Sequence, residues 1–218
     1  MTDYKVLLFD LDGTLTDSEE GILNCARHAL ITGNAPIPKY EALKAFIGPP
    51  LLVSFQEICG MTYEDAETAV VRYRERYSRI GLFENRVYEG IPQLLHDLKQ
   101  AGYRLGVATS KPEVYTLQIL EHFGILDVFE TVAGCSLEKE GETKADMIRL
   151  AMERMGLTAA DKPYVLMIGD RKHDILGAQE CGIACAGVEY GFAPEGELRQ
   201  YGASPIAADV AELRTILL

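Results

Sequence analysis

Lys5-Val6-Leu7-Leu8-Phe9-Asp10-Leu11-Asp12-Gly13-Thr14 runs from an unbroken apolar stretch into two carboxylates and a glycine. An apolar run without alternation is the pattern of a strand covered on both faces, as in a parallel sheet flanked by helices. Working outward, similar runs occur at 104–108, 164–168 and 183–188, with a shorter one at 131–133. Helical periodicity lies between and beyond them, at 91–101, 112–123, 143–155, 174–181 and 209–217. Pro112 sits where a first helical turn tolerates a missing N–H, and Gly102, Gly124, Gly156 and Gly182 come after helical runs as C′ residues do. The alternation predicts a doubly wound, Rossmann-like α/β fold with a parallel sheet.

One stretch breaks the alternation. Residues 17–82 show no strand pattern but carry helical segments at 20–30, 39–46, 51–58 and 63–80, punctuated by Pro36, Pro38, Pro49, Pro50 and Gly60. The expected organisation is a Rossmann-like core of residues 1–16 and 83–218 with a small all-helical cap of residues 17–82 inserted after the first strand, closing over the strand ends.

The chain has 218 residues, and 21 Lys+Arg against 33 Asp+Glu give a net charge of −12. Such a surface repels phosphodiester backbones and anionic lipid, so a nucleic-acid scaffold role is disfavoured. The apolar runs are far shorter than the ~20 residues that span a bilayer, so no membrane partner is expected. Met1-Thr2-Asp3-Tyr4-Lys5 lacks the pattern of a secretory leader, which points to a cytoplasmic protein. The five cysteines, an odd number thinly spread, are expected to be reduced thiols, with a Cys181/Cys185 metal pair the minor alternative. A monomer or weak homodimer is expected.

Ligands of open α/β sheets bind beyond the carboxyl ends of the strands, and the residues just past each apolar run are polar. The first run leads into Asp10 and Asp12, the second into Thr109-Ser110-Lys111, the third into Gly169-Asp170-Arg171-Lys172-His173-Asp174. Asp10, Asp12 and Asp170 at one sheet edge would repel one another without a cation, and Mg²⁺ is the hard ion that combines carboxylates with a substrate phosphate. Gly13 permits a tight turn whose N–H groups can hold phosphate oxygens. Thr109 and Ser110 can donate hydroxyl hydrogen bonds to the same phosphate, although Thr109 could instead cap the next helix. Lys144, at the start of a helix between the second and third polar strand ends, is the best placed cation to offset the charge of nucleophile and phosphate. Arg171, Lys172 and His173 read first as a solvated loop and second as a lure for an anionic substrate.

The sequence resembles the haloacid dehalogenase-like hydrolase superfamily, in the subfamily with a helical cap after the first motif. Phe9-Asp10-Leu11-Asp12-Gly13-Thr14-Leu15 matches the first motif, Ala108-Thr109-Ser110-Lys111 the second, Lys144 the third, and Gly169-Asp170 through Asp174 the fourth. Ala145 departs from the proline that many relatives carry after the third-motif lysine. The resemblance implies that Asp10 attacks phosphorus to form an aspartyl phosphate and that Asp12 protonates the leaving alcohol and then activates water. It further implies that Mg²⁺ is held by the Asp10 side chain, the Asp12 carbonyl and Asp170, and that Asp174 orients Lys144 or metal-bound water. Asp12 points to a phosphatase or phosphomutase, and the absence of a histidine in Thr16-Asp17-Ser18-Glu19-Glu20-Gly21-Ile22 disfavours a β-phosphoglucomutase-like phosphomutase. A phospho-receiver signalling module is the rival from another class; the helical insertion argues against it. The expected partner is a small-molecule phosphate ester. The cap resembles the branch containing phosphoglycolate phosphatases and 5′-nucleotidase-like enzymes, and phosphoglycolate is the first expectation, with a 5′-nucleotide second. Lys44, Gly48 and Pro49 are the candidate substrate contacts on the cap.

Overall fold

The computed structural model describes residues 4–139 and 141–218, so the amino-terminal residues Met1 to Asp3 read for a leader lie outside the described residues. Its strands are β1 (Val6–Phe9), β2 (Thr16–Asp17), β3 (Arg86–Val87), β4 (Arg104–Pro112), β5 (Thr131–Cys135), β6 (Val165–Gly169), β7 (Ala184–Val188) and β8 (Ile206–Ala207). The helices are α1 (Glu19–Thr32), α2 (Tyr40–Lys44), α3 (Leu51–Cys59), α4 (Tyr63–Arg76), α5 (Ile91–Gln100), α6 (Glu113–His122), α7 (Lys144–Arg154), α8 (Lys172–Cys181), α9 (Glu197–Tyr201) and α10 (Val210–Leu217). The chain forms two compact units, Met1–Asp17 with Val87–Leu218, and Ser18–Arg86.

In the first unit a six-stranded parallel sheet has the order β5-β4-β1-β6-β7-β8. Every residue of β1 is buried, as a central strand covered on both faces requires, and burying each such side chain is worth roughly 1.5–3 kcal/mol. Val6 and Leu8 join a cluster with Met147, Ile148 and Ile175 from α7 and α8. Phe9 points the other way, its ring edge-on to Phe129 at 6.4 Å. The register sets Phe9 beside Val107 of β4 and Ile168 of β6, and Asp10 N–H donates to Ile168 O at 2.9 Å. Asp10 and Asp170, just past β1 and β6, and Thr109 within β4, between β1 and β5, therefore lie at neighbouring levels of one sheet edge.

Two local expectations change. β4 does not stop at Ala108: it runs on to Pro112 with its register against β5 shifted between Thr109 and Pro112. Pro112 is the N-cap of α6, which has no side-chain cap, and not its first turn. Thr109 is thus no helix cap; its Oγ1 accepts the Lys111 N–H at 3.2 Å. The short β2, β3 and β8 lacked enough residues to show a period. The five cysteines are free thiols; Cys181 Sγ donates to Ala145 O and Cys185 Sγ to Ala186 O.

The second unit is helical and extends past residue 82. Gly21 N–H donates to Glu84 O at 2.9 Å. Arg76 grips the Glu84 carboxylate at 2.6 and 2.8 Å, tying 83–86 to the helices. The expected helix at 63–80 forms as α4 continued by a π turn, Tyr77–Gly81. No helix among the described residues is long and apolar enough to cross a membrane.

Candidate active site

The carboxyl ends of β1 and β6 and the first turns of α7 and α8 build the site. Thr143 caps α7: its Oγ1 accepts from Asp146 N at 3.2 Å while Asp146 Oδ2 accepts from Thr143 N at 2.9 Å. That reciprocal cap satisfies helix-end donors and fixes Lys144 in the first turn. The Lys144 stem lies against Gly177 of α8, where any side chain would press on its Cγ. The buried ammonium meets Asp10 Oδ1 at 2.7 Å and Asp174 Oδ1 at 2.8 Å, and donates to Ala108 O at 3.2 Å. Burial alone would depress its pKa, but the charges of Asp10 and Asp174 outweigh burial and hold it above the ordinary lysine value.

Asp174 caps its own helix, its Oδ2 accepting the Arg171 N–H at 3.0 Å. Burial pushes its carboxyl up to about 6, against the pull of Lys144 and with the push of Asp10. Asp170 is 0% exposed; burial, Asp174 and Asp10 together raise its pKa well above the usual carboxylate range. Its Oδ2 accepts the Phe192 N–H at 2.7 Å, while Oδ1 is buried with no hydrogen-bond partner.

Carboxylate oxygens of Asp10, Asp170 and Asp174 lie within 4.8 Å of one another. An all-oxygen donor set with an orphaned carboxylate oxygen, and more negative charge than Lys144 offsets, fits a hard divalent cation. Asp174 thus belongs to the acidic cluster itself as well as orienting Lys144. Asp12 stands apart: its Oδ2 pairs with Lys111 Nζ at 2.8 Å, and its Oδ1 is buried without a hydrogen-bond partner.

Lys111, quoted in the second motif but given no role by the sequence reading, is the partner of Asp12. Its side chain is 6% exposed, and the register shift in β4 brings it to Asp12; the only sequence signal was its place at the end of the second motif. Thr109 is buried and Ser110 exposed. Gly13 adopts φ +80°, and a Cβ there would overlap the Asp170 carboxylate, so glycine is required for close approach. Its own N–H is donated to Thr16 O at 2.7 Å. Arg171 is no solvated loop residue: its Nε pairs with Glu197 Oε1 at 2.9 Å, and Lys172 N–H donates to the same oxygen. Burial, then Arg171 and Lys172, lower the His173 pKa.

In the helical unit Lys44 pairs with Glu19 at 3.5 Å and lies over the Tyr40 ring. Gly48 and Pro49 lead into α3, Gly48 exposed and Pro49 half-buried.

The model of the haloacid dehalogenase-like hydrolases matches residues 7–188. The chain is 45% identical to a 5′-nucleotidase of Pseudomonas aeruginosa over 98% of this chain and 96% of that one. It is 38% identical to the tyrosine-protein kinase PtkA of Mycobacterium tuberculosis over 98% of this chain and 72% of that one. A phosphoglycolate phosphatase of Colwellia psychrerythraea is 29% identical over 93% and 92% of the two chains. The crystal structure of a predicted phosphatase from Clostridium acetobutylicum superposes with a TM-score of 0.90 at 42% identity, covering 98% of both chains. With the acidic motifs at the strand ends and a match that runs from β1 through β7, the chain belongs to the haloacid dehalogenase-like hydrolase family.

Proposed function

We propose that this phosphatase hydrolyses small phosphomonoesters through a phosphoryl group carried on Asp10. The observation that carries the reading is the buried arrangement in which Lys144 bridges Asp10 and Asp174 beside the uncompensated Asp170. Asp10 is the nucleophile, and its attack forms a P–O bond to the carboxylate as the ester P–O bond breaks. Asp12, held by Lys111, donates a proton to the departing alkoxide and afterwards takes one from the attacking water. Lys144 and the Thr109 hydroxyl offset charge on the phosphoryl oxygens, the more exposed Ser110 assisting. Asp10 and Asp170, with the Asp12 carbonyl, would hold Mg²⁺, and Asp174 orients Lys144. When bound, Mg²⁺ withdraws negative charge from the phosphoryl group.

For the substrate we favour a 5′-nucleotide over phosphoglycolate, reversing the sequence expectation. The similarity to a 5′-nucleotidase spans nearly the whole of both chains, and Glu19 already offsets Lys44, the one cation among the candidate cap contacts that could pair with the carboxylate of phosphoglycolate. The helical unit, through Lys44, Gly48 and Pro49, is assigned the choice of leaving group. Free thiols throughout fit a cytoplasmic location. The test is Asp10→Asn, a near-isosteric change that removes the nucleophile: turnover of nucleoside 5′-monophosphates and 4-nitrophenyl phosphate drops by about a thousandfold or more. A correctly folded variant retaining a tenth of the activity rules the assignment out.

A further inference from the structure

We propose that the backbone amide of Phe192 sets the ion preference of the acidic cluster, by leaving Asp170 one free oxygen. This rests on the reading that the cluster holds a divalent cation.

The segment 189–192 comes directly after β7, and its backbone at 191–192 lies against Asp170. Phe192 N–H donates to Asp170 Oδ2 at 2.7 Å, and Oδ1 is buried without a hydrogen-bond partner. A Cβ on Gly191 would overlap the Asp170 side chain and the Gly13 carbonyl, so the backbone reaches this position only as glycine. Tyr190 anchors the same segment: its hydroxyl donates to Thr14 O at 2.9 Å, and its ring meets Tyr88 edge-on at 4.8 Å. The amide is therefore fixed relative to both the β6 carboxylate and the turn after Asp12.

A carboxylate with one oxygen held by a rigid N–H presents its unpartnered oxygen to a metal first; the held oxygen keeps a second lone pair, but its orientation is fixed by the amide. Mg²⁺ takes single oxygens in an octahedron at about 2.0–2.1 Å, whereas Ca²⁺ takes six to eight at about 2.3–2.6 Å and gains from carboxylates that bind through both oxygens. For Ca²⁺ to use both Asp170 oxygens, Oδ2 has to be shared with the Phe192 N–H or the carboxylate turned against that hydrogen bond, either of which costs affinity. The amide thus disfavours the larger ion without touching it, as outer hydrogen bonds to metal ligands do elsewhere.

The test replaces Phe192 by phenyllactic acid through nonsense suppression, exchanging the amide N–H for an ester oxygen and keeping the side chain. Dissociation constants for MgCl₂ and for CaCl₂, each alone, are measured by calorimetry on the full chain without substrate. The expected result is a shift of the affinity ratio toward Ca²⁺ by about threefold or more; a smaller or opposite shift overturns the proposal. Tyr190→Phe, which cuts the anchor on Thr14 and leaves Asp170 untouched, shifts the ratio in the same direction, and decides the question if the ester variant fails to fold: an unchanged ratio overturns the proposal. Absence of binding by either ion to the unaltered protein overturns the cation reading as well, whereas binding with an unmoved ratio in the variants overturns only the role of the amide.

Discussion

Replacing Lys144 by methionine keeps most of the stem beside Gly177 and removes the charge that meets Asp10 at 2.7 Å and Asp174 at 2.8 Å. The perturbation isolates the ammonium from its packing. Removing one partner of a buried ion pair costs about 3–5 kcal/mol, since the other charge stays buried and uncompensated. In a chain of this size 1 kcal/mol moves Tm by about 2–4 °C, so the fall is between roughly 6 and 20 °C for metal-free protein. The pH dependence has a defined sign. Burial already pushes Asp174 up to about 6 from its ordinary 3.8, and loss of Lys144 removes the pull that restrains it, so the pKa rises further. A carboxyl whose folded pKa is raised binds more protons folded than unfolded, so its cost grows as pH rises through that interval and is relieved as pH falls. The deficit against the unaltered chain is therefore largest near pH 8 and shrinks toward pH 5. Thermal unfolding with chelator at both pH values measures it. A deficit below about 2 °C at pH 8, or one equal at both pH values, refutes the assignment of Lys144 as the counter-charge of the cluster.

Lys111→Ala frees the Asp12 carboxylate and, if Lys111 holds the proton donor, slows alkyl phosphates about tenfold while nitrophenyl phosphate, whose leaving group needs less protonation, slows much less. Equal losses on both remove Lys111 from that role. In the helical unit Glu84→Gln weakens the paired grip of Arg76 at 2.6 and 2.8 Å and lowers stability in urea by about 1–2 kcal/mol at pH 7. The Arg76 hydrogen bonds hold the Glu84 pKa below its usual value, so the contribution is complete above the unfolded value near 4.5 and is lost as pH falls through the folded one. A gap between Glu84→Gln and the unaltered chain that persists undiminished at pH 3 contradicts the ion-pair account.

Much of the core could be read from the sequence because its signals are local. Val6–Phe9 and Val165–Gly169 are continuous apolar runs, and in parallel pairing the polar residues after them must meet at one edge, which is how Asp10 and Asp170 come together. Lys144 was visible as the first residue of a capped helix. Lys111 was hidden, since its approach to Asp12 depends on a register shift inside β4 and a lysine after Thr109-Ser110 otherwise reads as a charged loop. That Thr16 O takes the Gly13 N–H was not legible, because the sequence shows that a turn forms but not which donors it closes on. Phe192 acts through a backbone amide that every residue but proline carries, so nothing in its side chain could have marked it. Arg171 was misread for a related reason: its partner Glu197 lies in a short helix with no detectable period.

The central claim is that phosphorus is carried on Asp10, and it is tested most directly by trapping. Asp12→Asn is mixed with 2,4-dinitrophenyl phosphate, whose leaving group needs no proton, so that the first step proceeds while hydrolysis stalls. Borohydride added after acid quenching reduces an acyl phosphate to an alcohol, converting that aspartate to homoserine, and peptide mass spectrometry locates it. The account predicts homoserine at position 10 and at no other aspartate; a burst of dinitrophenolate with Asp10 unmodified contradicts it.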